Sequence, residues 1–142
     1  VIVLVGVSKK QRTMLPRNII GIEHTENVEE LVRLYNKAHV FLNLTYEDNF
    51  PTTNLEALAC GTSVLTYRTG GSPESIDENV GYVVNQGDLS SVLKCVVEHD
   101  KTEHTISECL KKSKQYNKVD CFLHYYELYC SLLKIDKSVL NQ

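Results

Sequence analysis

Two carboxylates, Asp48 and Glu56, enclose a seven-residue run, Asn49-Phe50-Pro51-Thr52-Thr53-Asn54-Leu55. A second small block, Thr69-Gly70-Gly71-Ser72-Pro73-Glu74, follows shortly after. Carboxylates accept hydrogen bonds from hydroxyl groups. A helix opening near Thr53 would offer unpaired N–H groups and a positive dipole end, which suit a phosphate. Adjacent glycines let backbone approach a phosphate with no Cβ in the way. Together these residues fit a ligand that is both hydroxylated and anionic, and a sugar nucleotide is such a ligand.

Each of these residues also has a plainer duty. Thr53-x-x-Glu56 fits a capping box, in which Glu56 only returns a bond to the helix start, and spacing alone favours that role. Asp48 fits an Asx-turn. Phe50 fits a small core plug, Gly70-Gly71 fits a turn that needs positive φ, and Glu74 suits the start of a short helix. Glu47 is one residue out of step with Glu56 and reads as a solvated neighbour.

The elements that must position these groups follow from periodicity. Residues 1–6 are a continuous β-branched run, the pattern of a strand buried on both faces of a parallel sheet. Residues 8–15 form a polar connector with helical character, ended by Pro16. Strands are expected at 18–22, 38–44, 63–67 and 81–84. Residues 27–37 read as an amphipathic helix with Asn27 and Glu30 at its start. A helix is expected from about Thr53 to Cys60 with Gly61 closing it, and another from Asp88 to about Glu98. Pro73 opens a short helix. Strands and helices alternating in this way make a parallel α/β sheet, and ligands bind at the carboxyl ends of such strands. Both polar blocks follow strands and therefore fall on that edge. Residues 103–135 read as two helices, with Phe122, Tyr125, Tyr126, Tyr129, Leu132 and Leu133 at helical spacing. That stripe is expected to lie on the chain's own sheet.

With 142 residues the chain can bury one core, and residues 1–142 are read as one domain without a repeat or linker. A net charge of −3 gives no electrostatic case for nucleic acid. The first apolar run is too short to cross a bilayer. Five cysteines at 60, 95, 109, 121 and 130, without a C-x-x-C pair, suggest reduced thiols and a cytoplasmic location. His24, His39, His99, His104 and His124 show no metal-ligand spacing. The chain opens directly on a strand without an initiator Met and reads as an excised fragment.

The run Asp48-Asn49-Phe50-Pro51-Thr52-Thr53-Asn54-Leu55-Glu56-Ala57-Leu58-Ala59-Cys60-Gly61 resembles the acid-x7-acid region of retaining family 4 glycosyltransferases, which have the GT-B fold. Glu47 to Asn54 is most similar to the subgroup typical of bacterial capsule and surface-polysaccharide enzymes. Asp48 stands where the family usually has Glu, and Ser63 where it usually has Pro. The Thr69–Glu74 block follows at the family's distance, and the likeness covers roughly the first hundred residues.

The resemblance implies a Rossmann-like parallel sheet flanked by helices, the N-terminally truncated C-terminal half of a GT-B enzyme. It implies transfer of a sugar from a nucleotide donor, UDP-linked by default, with retention at the anomeric carbon and without metal or other cofactor. Asp48 would be the catalytic residue, contacting hydroxyls of the transferred sugar. Asn49, Phe50, Pro51, Thr52, Thr53, Asn54, Gly70 and Gly71 would line the donor sugar and diphosphate, and Glu56 would bind the ribose. Family members supply a diphosphate-binding Arg and Lys from a loop that would precede Val1; Lys9, Lys10 and Arg12 do not match it. The acceptor, a growing polysaccharide or lipid-linked chain, would be held by the N-terminal half, so the fragment would be inactive alone. Peripheral attachment of the full enzyme to the inner face of the cell membrane is compatible with this. The alternative is a non-catalytic nucleotide or sugar-phosphate module, or a pseudo-glycosyltransferase in which Asp48 marks lost activity. A flavodoxin-like interaction domain leaves the polar residues on one sheet edge without explanation.

Overall fold

The structure is a computed structural model that describes residues 1–134. The tail expected to be helical to residue 135 runs one residue past this limit. The fold is α/β, with parallel strands and flanking helices. The described chain divides into two compact units, Val1–Ala38 and the segment from His39 onward.

In the first unit β1 (Ile2–Val5) pairs in parallel with β2 (Ile19–Ile22), Ile2 opposite Ile19 and Val5 opposite Ile22. The crossover contains α1 (Lys9–Thr13). Ser8 caps it through a reciprocal pair: Gln11 N donates to Ser8 Oγ and Ser8 N donates to Gln11 Oε1. The second helix, α2 (Val28–Lys37), starts at Asn27, whose Oδ1 accepts from Glu30 N. Glu30 returns a bond to Glu26 N rather than to the cap residue. The expected burial of β1 on both faces is not found: Ile2, Val3, Leu4 and Val5 are each 37–48% exposed. Within this unit β1 has one strand partner, β2, and its main contacts are with that strand.

The second unit holds a three-stranded parallel sheet in the order β3-β4-β5. These strands are β3 (Val40–Asn43), β4 (Ser63–Tyr67) and β5 (Gly81–Val84). Central β4 is buried throughout. Leu65 and Tyr67 pack with Val84 and with Val92 of α4 (Leu89–Glu98). Asp88 caps α4, its Oδ1 accepting from Ser91 N. Between β3 and β4 lies α3 (Thr52–Ala59), which rests on both strands and on α5 (Glu103–Lys114). Helix α3 ends in a Schellman turn: Gly61 N donates to Leu58 O and Thr62 N to Ala57 O, both at 2.9 Å. Gly61 takes φ +68 there, a conformation costly for other residues.

Two polar clasps tie the amino edge of this unit. His99, closing α4, bonds through Nδ1 to Tyr82 OH (3.2 Å) and through Nε2 to the His39 carbonyl (3.1 Å). Burial holds the His99 imidazole below its ordinary value. Lys112 on α5 pairs with Asp77 at 3.0 Å. Burial alone would raise the Asp77 carboxyl, but bonds from Lys112 and Asn79 outweigh it and leave it lowered.

The last helix, α6 (Lys118–Leu133), departs from expectation. Phe122, Tyr125, Tyr126, Tyr129, Leu132 and Leu133 are exposed, and only Cys130 of α6 is buried. The strands β3 to β5 are met by α3, α4 and α5 instead. Among the described residues no helix is long and apolar enough to cross a membrane.

Candidate functional site

The three strands of the second unit run parallel, so the segments leaving β3, β4 and β5 emerge at one edge. They meet there through backbone. An ideal Cβ on Gly70 would lie 1.9 Å from Asp48 O, and one on Gly71 would lie 2.0 Å from Asn49 O. Only glycines allow this approach, and Gly70 also sits at φ +46. Gly71 N donates to Asp48 O at 3.3 Å. Thr69 Oγ1 and Gln86 Nε2 both donate to the Tyr46 carbonyl, at 2.7 and 2.8 Å. Thus the two polar blocks noted in the sequence form one surface, and the segment after β5 joins them.

Asp48 is half-buried and makes the Asx-turn, its Oδ1 accepting from Phe50 N at 3.1 Å. Asn49, Thr52, Thr53 and Glu56 are exposed. Phe50 is 36% exposed and lies against Tyr116, ring centroids 5.8 Å apart, while Tyr116 OH donates to Glu74 O. Pro51 is buried and is the N-cap of α3. Its φ of −70° already suits a helix entry, so α3 starts at Thr52 rather than Thr53. Thr53 is then inside the helix and cannot cap it. The capping box with Glu56 does not form, and no side chain caps α3. The first turn also carries no acidic residue. The positive end of α3 is therefore uncompensated from within its own sequence.

Asn54 is a correction. Grouped with the donor-lining residues, it is instead fully buried. Its Oδ1 accepts from Asn43 Nδ2 at 2.9 Å, and its Nδ2 donates to Ser72 O at 3.4 Å and Ser75 Oγ at 3.5 Å. Pro51 likewise has no N–H to give and serves the turn. Ser72 Oγ is buried and has no hydrogen-bond partner among the described residues. Asn43, Tyr46 and Gln86 also hold the site together, and no motif in the sequence marks them. Gln86, beside the turn residue Gly87 just past β5, was the most discoverable of them. Among the described residues no group of three or more His, Cys, Asp or Glu could hold a metal ion.

Residues 3–115 match the family model of glycosyl transferases group 1. The chain belongs to that family. This group 1 glycosyltransferase chain is 38% identical over 72 residues to D-inositol 3-phosphate glycosyltransferase of Corynebacterium jeikeium, covering 51% of the chain and 15% of that protein. It is 29% identical over 126 residues to N-acetyl-alpha-D-glucosaminyl L-malate synthase of Bacillus anthracis, covering 84% of the chain and 32% of that protein. The chain thus spans a third or less of these relatives. Neither is named as a capsule or surface-polysaccharide enzyme. In fold it is similar to sucrose-phosphate synthase of Thermosynechococcus elongatus (TM-score 0.77, 21% identity, 94% of this chain and 39% of that one). It is also similar to Anabaena HepE in complex with UDP (TM-score 0.67, 20% identity, 85% of this chain and 34% of that one).

Proposed function

We propose that the group 1 glycosyltransferase chain carries the nucleotide-sugar donor site of a retaining glycosyltransferase. The observation that carries this reading is the backbone junction between Asp48-Asn49 and Gly70-Gly71, beside the uncapped start of α3. A helix N-terminus with its dipole end suits the diphosphate. Asp48 and Glu56 supply acceptors for sugar and ribose hydroxyls, and Asn49, Thr52 and Thr53 add exposed polar groups between them. Phe50, Gly70 and Gly71 shape the wall. Asn54 serves from behind it. The leaving diphosphate is stabilised by positioned donors rather than by a metal. UDP is the favoured nucleotide, supported by the UDP complex of a structural neighbour.

The acceptor divides two readings. The likeness of Glu47 to Asn54 to capsule enzymes favours a surface polysaccharide. The names of two relatives favour a small polar acceptor such as an inositol phosphate or malate. Titration of the 15N-labelled chain with UDP, GDP and ADP tests the donor site. Amide shifts confined to residues 49–56 and 69–72, with one base preferred, are expected. Equal, diffuse shifts with all three nucleotides would refute it. In the full-length protein, Asp48→Ala should lower kcat and Asp48→Glu should not; no change in either would remove Asp48 from the chemistry.

A further inference from the structure

Two buried primary amides stand behind the site. Asn43, the last residue of β3, is 5% exposed and Asn54 is 0% exposed. Amides at this depth are costly unless every polar atom has a partner. Here they are joined head to tail. Thr45 Oγ1 donates to Asn43 Oδ1, and Asn43 Nδ2 donates to Asn54 Oδ1, both at 2.9 Å. Asn54 Nδ2 then donates to Ser72 O and Ser75 Oγ, and Ser75 Oγ donates to Ser72 O. The direction is fixed from one end. Ser72 O can only accept, so Asn54 must turn its NH₂ toward it and its oxygen toward Asn43.

This chain links three parts of the site: the end of β3, the first turn of α3, and the turn that follows Gly70-Gly71. An apolar pair could fill the same space and still join sheet to helix. It could not reach a carbonyl in the glycine turn. What the amides add is register between segments 18 and 21 residues apart in sequence.

We propose that Asn54 is a positioning residue that sets the spacing between the N-terminus of α3 and the Gly70-Gly71 turn. It acts on a bound nucleotide only through that spacing. The effect on nucleotide rests on the donor-site reading above; the effect on the turn does not.

The test uses the 142-residue chain with Asn43→Leu/Asn54→Leu, which replaces both amides by apolar groups of similar size and leaves neither amide unpaired. Amide hydrogen exchange is read at Gly71, whose N–H reaches Asp48 O, and at the buried strand β4. UDP affinity is read in parallel. Gly71 should exchange about tenfold faster, the scale of one hydrogen bond, while β4 keeps its protection. UDP should bind about tenfold more weakly. Unchanged Gly71 exchange in a folded variant would overturn the proposal, whatever happens to UDP. If the unaltered chain binds no UDP, the donor reading fails, and Gly71 exchange still decides the positioning role. Should the double variant not fold, Ser75→Ala removes one partner of Asn54. It should raise Gly71 exchange roughly threefold, and no rise there would equally overturn the proposal.

Discussion

Replacing Gly71 by alanine probes the junction at the centre of the site. Gly71 has φ −87°, which alanine adopts without strain, so the effect is steric. The new Cβ would lie 2.0 Å from Asn49 O. Carbon and oxygen settle at about 3.3 Å or more, so the two segments must part by roughly 1.3 Å. Overpacking of this kind costs about 1–3 kcal/mol. The 3.3 Å bond from Gly71 N to Asp48 O is lost as well, a further ~0.5–1.5 kcal/mol. The sum is about 1.5–4.5 kcal/mol. Gly70→Ala should cost more, because a Cβ there meets Asp48 O at 1.9 Å and φ is +46. Urea unfolding measures both. With a slope of about 2 kcal/mol/M, the Gly71→Ala midpoint should fall by ~0.7–2.3 M at unchanged slope. Amide signals of Asp48, Asn49 and Phe50 should move in the same variant. A midpoint within about 0.25 M of the parent, with those signals unmoved, would refute the backbone contact itself.

Four further outcomes follow from the same coordinates. Ser72→Ala removes a buried hydroxyl that has no partner among the described residues, and should stabilise the chain by up to ~1 kcal/mol in urea unfolding. Gly61→Ala should destabilise it by about 1–3 kcal/mol, since φ is +68 and Ile106 Cγ2 lies 2.8 Å from the added Cβ. Because burial lowers the His99 imidazole, the unfolded chain takes up a proton that the folded chain resists. Stability should therefore be unaffected well above the ordinary value of about 6.5 and fall as pH drops through and below it; His99→Gln should flatten that fall. The lowered Asp77 carboxyl works at lower pH: its contribution is present above its unfolded value and lost as pH falls through the folded one. Lys112→Met should accordingly move the acid-unfolding midpoint upward.

Local pattern carried far in this chain where local chemistry decides structure. Strands β4 and β5 lie at residues 63–67 and 81–84 as their β-branched runs between turn residues indicate, and Asp88 caps α4 as its position suggests. Helix α3 starts one residue before the point its capping pattern suggests, because Pro51, with a backbone ready for helix entry, takes the cap from Thr53. What could not be read were facts of distant pairing. Asn54 sits among exposed polar neighbours in sequence, yet its partners are Asn43, Ser72 and Ser75. The apolar residues of β1 and α6 show the converse. Their type says they can be buried, not that a covering surface exists within the described residues.

The junction of Asp48-Asn49 with Gly70-Gly71 also makes the site unequal in its tolerance of change. On the first side the contact is made by carbonyl oxygens, which every amino acid has. On the second it is made by the absence of a side chain, which only glycine offers. Variation can therefore proceed at Asn49, an exposed position, while Gly70 and Gly71 stay fixed. An acidic residue one methylene longer at position 48 would keep the same carbonyl in place. In a library spanning both segments, accepted substitutions would collect on the β3 side and the ligand preference of the site would drift there, over a glycine floor that does not move.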